Sequence, residues 1–366
     1  MTMAMNSDAL DDAFTVDQWA AWPLRVPLRK PYRSAKGTLS SLPMLHTSVR
    51  TREGVVGHSV IFVPSAALAD AVVAVVAGLR SELGDVGRTA FGHAALIRKR
   101  LGAWGGGGVG ASAASALELA LVEACSQHRR LSVASLLGLD AKPLATYGGI
   151  AQGEVEETVQ EAQRLVQAGH RALKLKLGHN TVEQDIEALA AVREAVTQDI
   201  RLMVDFNQSL SVQEAIRRGK ALERFDLVWM EEPVPAADLE GHAAVASSLS
   251  TCLQSGENWW SARQIARAIE LHACDAVMLD PAKLGIQAWL EAAEAARAAK
   301  VPVSSHLSPH LCAQLLCATD AAGWLEWTDW WKPFVGATPV SDGRVIPSDA
   351  PVAWDDDALC RYRVTG

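Results

Sequence analysis

The chain has 366 residues, of which 49% are apolar and 21% are charged. A chain of this length buries a large core and is long enough for about two domains. Its formal net charge of −8 leaves no broad basic surface, which excludes nucleic acid as the main partner.

Two further features bear on the compartment. Residues 1–14 lack a basic and then apolar leader, and we identify no apolar run of membrane-spanning length; we therefore expect a cytoplasmic protein with no membrane partner. The cysteines lie in apolar segments without paired spacing, which is typical of buried, reduced thiols. They are Cys125, Cys252, Cys274, Cys312, Cys317 and Cys360.

The first part of the chain, residues 1–140, predicts an α+β domain. Residues 15–65 have the pattern of strands and turns, with a hairpin over Ser48–Phe62 around Glu53-Gly54. Residues 66–137 are rich in Ala and Leu and predict helices.

A glycine-rich stretch in this domain, Gly105 to Gly110, matches the dinucleotide-binding pattern GxGxxG. The pattern binds a dinucleotide when a buried strand precedes it, whereas residues 94–101 predict a helix. We therefore interpret the stretch as a mobile loop between helices.

Regular alternation of strands and helices begins at Ala145 and predicts a second domain over residues 141–327. Helices are predicted at 184–196, 212–222 and 287–299. Eight strands that alternate with helices indicate a (β/α)₈ barrel. The strands are predicted near residues 145, 172, 201, 227, 253, 276, 302 and 323.

Three acids stand at equal intervals in this second domain. Asp205, Glu231 and Glu257 are each 26 residues apart, and each ends a short, mostly apolar run. A strand, a helix and two turns use about that many residues, so the acids are expected at the C-terminal ends of successive parallel strands. One such acid alone is more often a strand-end cap or a salt-bridge partner. Three acids at equal spacing favour a divalent metal site, and we expect the metal to be Mg²⁺.

Basic residues are expected on the same face of the barrel. Lys174 and Lys176 are two residues apart on one predicted strand, so both side chains point to one side. A single histidine such as His306 is more often structural than catalytic. Here Asp280 ends the preceding strand, and a carboxylate is what orients an imidazole and raises its basicity. Glu326 lies on the last strand of the series.

The ordered set of these residues resembles the mandelate racemase subgroup of the enolase superfamily. The likeness extends from Val26 near the start of the chain to Pro347 near its end. It implies a modified (β/α)₈ barrel with an N-terminal α+β capping domain, to which residues 328–366 return, and a homo-oligomer. The motifs that carry it are Lys174-x-Lys176, Asp205-x-Asn207, Glu231-Glu232-Pro233, Gly256-Glu257-Asn258, Asp280, His306 and Glu326.

The resemblance also implies roles for the residues. The substrate would be a small 2-hydroxy carboxylate whose α-proton is removed to give an enediolate. Lys176 and His306 would act as bases on opposite faces, with Asp280 orienting His306. Lys174 and a protonated Glu326 would stabilise the enediolate, and Lys176 would have a lowered pKa. Asp205, Glu231 and Glu257 would bind Mg²⁺, and Asn207, Lys283, Tyr32 and Lys36 would bind substrate.

The reaction itself stays open at this point. Two opposed bases support racemisation, and the same groups support dehydration of an acid sugar if His306 expels a 3-hydroxyl as water. A third alternative is a protein of this fold without turnover. The stretch Arg29–Leu39 carries Tyr32, Arg33 and Lys36, which favours a substrate with a polar or anionic distal part over mandelate. Val60 and Gly149 also stand where the mandelate enzyme has a tyrosine and a serine.

Overall fold

The computed structural model describes residue 10 and residues 12–79, 86–178, 181–319 and 323–364. Its first layer is an antiparallel sheet of strands β1 (Val16–Ser34), β2 (Gly37–Thr51) and β3 (Val56–Phe62), in that order. The predicted hairpin is confirmed, and Gly54 at its tip has φ +84°. Glycine suits this left-handed turn because it has no Cβ.

Helices cover one face of this sheet, as the composition of residues 66–137 predicts. The long helix α3 lies directly on β3, and a Cβ at Gly57 would lie 2.8 Å from the Cα of Ala124. Glycine at position 57 therefore permits the close approach of strand and helix. The helices are α1 (Ala66–Leu79), α2 (Ala90–Leu101), α3 (Gly108–Arg129) and α4 (Val133–Leu136).

Helix α3 corrects one expectation from the sequence. Its 22 residues are long and apolar enough to cross a membrane by length and composition, although no such run was identified in the sequence. Most of the helix is buried inside the protein, and its two acids, Glu118 and Glu123, are buried with hydrogen-bond partners. These features are those of a core helix.

The second part of the chain is a closed barrel of eight parallel strands, in agreement with the prediction. Each strand pairs with the next, and the last strand pairs with the first. The strands are β4 (Leu144–Ile150), β5 (Ala172–Lys176), β6 (Arg201–Asp205), β7 (Met230–Glu231), β8 (Leu253–Ser255), β9 (Ala276–Leu279), β10 (Val303–Ser305) and β11 (Trp324–Trp327).

Helices on the outside of the barrel connect these strands. They are α5 (Val155–Gln167), α6 (Val182–Ala195), α7 (Val212–Leu222), α8 (Leu239–Ser248), α9 (Ala262–Glu270), α10 (Pro281–Ala299) and α11 (Pro309–Leu316). A short strand, β12 (Arg344–Val345), pairs antiparallel with β4.

Strand alternation separates the apolar packing from the polar barrel mouth. On β5, Leu173 and Leu175 pack with the surrounding helices, while Ala172 packs with Tyr147 and Met203 in a separate buried cluster. Side chains two residues apart on a strand point to the same face. Ala172 therefore points to the same face as Lys174 and Lys176 on β5, and Met203 points to the same face as Asp205 on β6. The apolar cluster therefore lies beneath the polar groups and closes the barrel below them.

The segment after the barrel packs against the first sheet. It contains α12 (Lys332–Val335) and α13 (Asp356–Arg361). The amide of Arg25 on β1 donates to the carbonyl of Tyr362 at 2.9 Å, and the amide of Val364 donates to the carbonyl of Pro23 at 2.9 Å. Residues 362–364 therefore lie along β1 and extend the sheet at its outer edge.

The cysteines are all free thiols, as expected, but they are not all buried. Cys125, Cys274 and Cys312 are buried, whereas Cys360 on α13 is exposed. Ala358 and Leu359 form the buried face of this short helix, and Cys360 follows them on the exposed face with Arg361, so the interpretation of the set as buried thiols was wrong at this position.

Candidate active site

The three evenly spaced acids meet at the C-terminal ends of the barrel strands. Asp205 ends β6, Glu231 ends β7, and Glu257 follows β8. One ligand oxygen from each lies within 4.8 Å of the others, and all three residues are buried. Three buried carboxylates this close repel one another unless positive charge lies among them.

Two lysines supply part of that positive charge. The Lys174 ammonium lies 2.6 Å from Glu231 Oε1 and 2.9 Å from Glu326 Oε1, and Lys176 forms an ion pair with Asp205 Oδ2. Both side chains enter the barrel from β5, as their two-residue spacing predicts. Each lysine therefore lies against the acids and away from the apolar face of its strand.

The histidine and the aspartate also come together. His306 Nδ1 lies 2.9 Å from Asp280 Oδ2, and His306 Nε2 lies 3.2 Å from Glu257 Oε2. Burial lowers the pKa of His306, but the charges of Glu257 and Asp280 raise it, and the net shift is upward. The imidazole is thus held by one carboxylate and faces the acidic triad with its other nitrogen.

The pKa directions at two residues differ from those expected. Burial lowers the pKa of Lys176, but the Asp205 carboxylate raises it more, so the net shift is upward. Burial raises the pKa of Glu326, but Lys174 and His306 lower it to about 2. The expectations of a lowered Lys176 pKa and a neutral Glu326 are not met by the protein groups alone, because each residue is paired with an opposite charge. A divalent cation held by the acids would oppose the pairing of Lys176 with Asp205.

A further set of polar groups surrounds the triad, and the sequence analysis gave most of them no role. Trp229 Nε1 donates to Glu231 Oε2 at 2.8 Å. Asn258 Nδ2 donates to Glu232 Oε2 at 2.6 Å and to Glu257 Oε1 at 3.0 Å. The two-residue spacing of Trp229 and Glu231 was the signal that could have identified the first contact.

Lys283 and Asn207, both predicted to bind substrate, contact the same groups. Lys283 Nζ donates to Asn258 Oδ1 at 2.9 Å and also to the carbonyl of Glu257. Asn207 Nδ2 donates to Asp205 Oδ2 at 3.1 Å. Asn207 thus holds the Asp205 carboxylate, and Lys283 holds the Glu257 backbone and the Asn258 side chain; the contact of both residues with substrate stays a prediction.

The backbone past several strand ends is in the left-handed region. The φ angles are +45° at Asn207, +37° at Glu232 and +51° at Leu307. Non-glycine residues adopt this conformation at a cost of about 1 kcal/mol each. The amide of Leu307 donates to Glu326 Oε2 at 2.9 Å, so the strained backbone there fixes a side chain of the site.

The acidic triad fits a divalent metal. Asn207 Oδ1 is buried and has no hydrogen-bond partner among the described residues, and Glu257 Oε2 has only its ion-pair contact with His306 Nε2. An orphaned acceptor oxygen beside three carboxylates forms with them the hard, oxygen-rich donor set that Mg²⁺ prefers. The triad is therefore able to bind the predicted metal.

The β1–β2 hairpin reaches the site with its tyrosine and not with its charged residues. Burial raises the pKa of Tyr32, and the charges of Lys176 and Glu326 also act on it, so the phenol lies near them. Arg33 Nη1 instead lies 3.7 Å from Glu157 Oε2, where both side chains are exposed. Lys36 is exposed on the turn, and its role in substrate binding stays a prediction.

The aromatic side chains near Tyr32 give this side of the site an apolar character. Trp330 lies 5.2 Å from the Tyr32 ring and 5.5 Å from the Phe62 ring, measured between ring centroids. Trp327, in contrast, packs between the two main core clusters and donates from Nε1 to the carbonyl of Thr338 at 2.9 Å. Trp327 therefore belongs to the core packing and not to the site.

The glycine-rich stretch follows helix α2 and contains the start of α3, so the strand required by a dinucleotide site is absent from this described part of the chain. A Cβ at Gly107 would lie 3.3 Å from Trp260, which follows β8. The stretch is thus a contact between the first domain and the rim of the barrel.

Comparisons with known proteins agree with this geometry. Residues 20–138 match the family model of the mandelate racemase / muconate lactonizing enzyme N-terminal domain, and residues 157–352 match the enolase C-terminal domain-like model. A solved enolase from Bradyrhizobium, complexed with magnesium and mandelic acid, is 33% identical with a TM-score of 0.90, over 97% of this chain and 99% of that chain.

Other relatives have different activities. L-talarate/galactarate dehydratase from Salmonella typhimurium is 32% identical over 67% of this chain and 64% of its own length. Its structure with Mg and L-lyxarohydroxamate superposes with a TM-score of 0.89 at 26% identity, over 96% of this chain and 94% of that chain. L-Ala-D/L-Glu epimerase from Clostridium acetobutylicum is 26% identical over 72% of this chain and 73% of its own length. The solved neighbours that hold magnesium support the predicted cofactor.

Proposed function

Because the chain belongs to the mandelate racemase / muconate lactonizing enzyme family of the enolase superfamily, we propose that it removes the α-proton of a 2-hydroxy carboxylate and returns it on the opposite face. The product would be the other enantiomer. The observation that carries this proposal is the separation of two bases around one acidic site: Lys176 ends β5 and His306 follows β10, with β11 and β4 between these strands.

Lys176 is the first proposed base. Its ammonium pairs with Asp205 and is close to Tyr32. Loss of that proton leaves a free amine at the end of β5, directed toward the space above the triad. A substrate α-carbon held there would give its proton to Lys176 from one side.

His306 is the second base, and Asp280 is its positioning residue. A hydrogen bond from Nδ1 to Asp280 leaves Nε2 directed toward the acidic site. In its protonated form the ring returns a proton through Nε2, and in its neutral form it accepts one. Because a racemase works in both directions, each base must act as acid for one enantiomer and as base for the other.

Charge on the intermediate is stabilised by groups between the bases. Asp205, Glu231 and Glu257 would hold Mg²⁺, which when bound supplies Lewis-acid stabilisation of the substrate carboxylate. Lys174 lies between Glu231 and Glu326, so its ammonium is placed to stabilise the second negative charge of the enediolate. Fixed charges of this kind act without reorganisation during the reaction.

A second candidate is dehydration of an acid sugar, which the 32% identity to L-talarate/galactarate dehydratase favours. In this reaction Lys176 removes the α-proton, and protonated His306 gives its proton to the departing 3-hydroxyl, which leaves as water. The remaining enol becomes a 2-keto acid. The aromatic contact of Tyr32 with Trp330 favours racemisation of a substrate with an apolar distal group. The charged residues of the hairpin do not oppose this, because Arg33 pairs with Glu157 at the surface and Lys36 is exposed.

The experiment is a screen of 2-hydroxy acids and acid sugars with Mg²⁺, with optical rotation and 2-keto acid measured in parallel. Decay of rotation without keto acid is the expected result. Keto acid formation would favour the dehydratase instead. If neither signal arises and no α-proton exchanges in D₂O, the proposal is wrong.

We also expect the protein to be a homo-oligomer that acts on a free small molecule. Solved neighbours bind compounds such as mandelic acid, which supports a small carboxylate as partner. Sedimentation of the purified protein measures the oligomeric state directly.

A further inference from the structure

Helix α10 is interrupted directly after the residues that it contributes to the site. Residues 281–284 form a single turn, and the amide of Leu284 donates to the carbonyl of Asp280 at 3.0 Å. Gly285 then leaves the helical region with φ +70° and ψ −170°. The remaining helix therefore has a new N-terminus at Ile286, where backbone N–H groups require acceptors.

The acceptor comes from the first domain. Glu118 on α3 accepts hydrogen bonds through Oε1 from the amides of Ile286 and Gln287, at 2.9 and 2.8 Å. Its other oxygen, Oε2, accepts from Arg98 Nη2 at 2.6 Å. Glu118 is fully buried, so a carboxylate from one domain caps a helix of the other, more than 160 residues away in the chain.

Two further contacts hold the interrupted turn. Arg98 Nη2 also donates to the carbonyl of Leu284 at 2.6 Å, and Ser115 Oγ donates to the carbonyl of Lys283 at 3.0 Å. The position of Gly285 has no room for a side chain, because a Cβ there would lie 2.7 Å from Glu118 Cδ. Residues of α2 and α3 thus hold the C-terminal end of the turn, and the hydrogen bond from Leu284 to Asp280 joins that end to its first residue.

We propose that Glu118 and Arg98 are positioning residues for the His306 side of the active site. They act through the turn 281–284 on Asp280, which holds His306 Nδ1, and on Lys283, which contacts Glu257 and Asn258. The capping domain would then set the orientation of one of the two bases. The kinetic test of this inference rests on the proposed function, whereas its spectroscopic test needs only the geometry of His306.

The chain offers a matched control on the same helix. Glu123 lies five residues after Glu118 on α3 and is also buried. It accepts hydrogen bonds from the amide of His58, from Gln127 and from Trp354, none of which lies in residues 280–287. Glu123→Gln removes a buried carboxylate from the same helix without touching the turn.

The kinetic test measures α-proton exchange in D₂O for each enantiomer separately, with Mg²⁺ and the best substrate from the screen. Glu118→Ala should slow exchange of the enantiomer served by His306 by about tenfold or more, since small displacements of a positioned base carry losses of this size. Exchange of the enantiomer served by Lys176 should change by less than about twofold, because none of the contacts described above joins Glu118 to Lys176. Glu123→Gln should leave the ratio of the two rates unchanged.

The spectroscopic test needs no substrate. In protein labelled with ¹⁵N-histidine, the His306 ring is assigned by the loss of its signals in His306→Asn. The proton on Nδ1 should exchange faster with solvent in Glu118→Ala than in the unmodified protein, and Glu123→Gln should not alter it. Arg98→Gln, a milder change at a partly exposed side chain, should give the same direction of effect if Glu118→Ala fails to fold.

The outcomes separate the two proposals. If the unmodified protein exchanges neither enantiomer, the proposed function fails, and the ¹⁵N signals alone decide the positioning role. Equal slowing of both enantiomers, or an unchanged His306 signal in a folded Glu118→Ala or Arg98→Gln protein, would overturn the positioning role.

Discussion

The two candidate bases, Lys176 and His306, are supported by different parts of the molecule. Lys176 pairs with Asp205, and both residues are on neighbouring barrel strands whose register places them side by side. His306 is held by Asp280, which begins the interrupted turn that α2 and α3 contact. The ion pair that holds Lys176 thus lies within the barrel, with Tyr32 of the capping domain close to the ammonium, whereas the turn that carries Asp280 is itself held by hydrogen bonds from the capping domain.

This difference bears on how the site can change. A change at Glu118 or Arg98 reaches the His306 side through hydrogen bonds to residues 284–287, whereas none of the contacts described above joins either residue to Lys176. Two half-reactions that are chemically symmetric are therefore structurally unequal. We expect variants to fall into those that affect both sides, those that affect one base, and those that affect neither.

The largest effect should come from Glu231→Gln, which should affect the Lys176 side and the His306 side equally. Glu231 lies between the two sides and accepts from Lys174 and Trp229. Loss of its charge should remove Mg²⁺ binding and lower activity toward both enantiomers by roughly 10³-fold or more, because several kcal/mol of charge stabilisation are lost. Calorimetric titration with Mg²⁺ and turnover after chelation measure the two effects. Full turnover by the chelated, unmodified protein would contradict the role of the metal.

Next in size are substitutions of the bases themselves. His306→Asn should still exchange the α-proton of the enantiomer served by Lys176 but fail to racemise it, and Lys176→Met should show the reverse. Each loss should be roughly 10²- to 10⁴-fold, the usual contribution of a positioned acid or base. Proton NMR in D₂O follows each enantiomer. Equal exchange of both by His306→Asn would show that the two-base assignment is wrong.

Asp280→Asn should give a smaller loss confined to the His306 side. The amide keeps the size of the side chain but removes the charge that holds the imidazole, so we expect roughly 10- to 100-fold slower exchange on that side. The Lys176 side serves as the internal control. A loss that is equal for both enantiomers would place the role of Asp280 in folding.

Gly285→Ala should disturb the same side from a greater distance. A side chain at φ +70° is strained, and there is no space for it against Arg98 and Glu118. The free energy of unfolding should fall by about 1–3 kcal/mol, and exchange on the His306 side should fall by about tenfold. Denaturant unfolding measures the first quantity. Gly336→Ala is a control at a left-handed glycine with no atom within 4 Å of the added Cβ.

The smallest effect should follow Arg33→Ala. Its ion pair with Glu157 is exposed on both sides, and exposed pairs contribute little. We expect kcat/KM to change by less than about threefold for any substrate. A selective loss for anionic or polyhydroxy substrates would show that Arg33 turns into the site when substrate binds. The substrate would then be expected to have a polar or anionic distal group.

The metal site and the barrel could be predicted from the sequence because both follow from local periods. The equal spacing of Asp205, Glu231 and Glu257 reflects the length of one strand and helix unit, and the two-residue spacing of Lys174 and Lys176 reflects strand alternation. These rules operate within one strand or between neighbouring units, so they need no knowledge of the packed structure.

The support for His306 could not be predicted in this way. Glu118 and Ile286 are joined by a hydrogen bond across 168 residues, and no period links them. The direction of Arg33 was also unpredictable, because its partner Glu157 lies on a helix of the barrel. The net pKa of Lys176 depends on the balance between burial and its pairing with Asp205, which only the folded geometry provides.

The strand-like contact between β1 and residues 362–364 has a consequence for the order of folding. Pro23 and Arg25 are synthesised early, whereas Tyr362 and Val364 follow more than 330 residues later. The outer edge of the first sheet therefore remains open during most of synthesis, and an open edge is a template for pairing with other chains. Nascent chains that stall before residue 362 should be the ones most in need of chaperones.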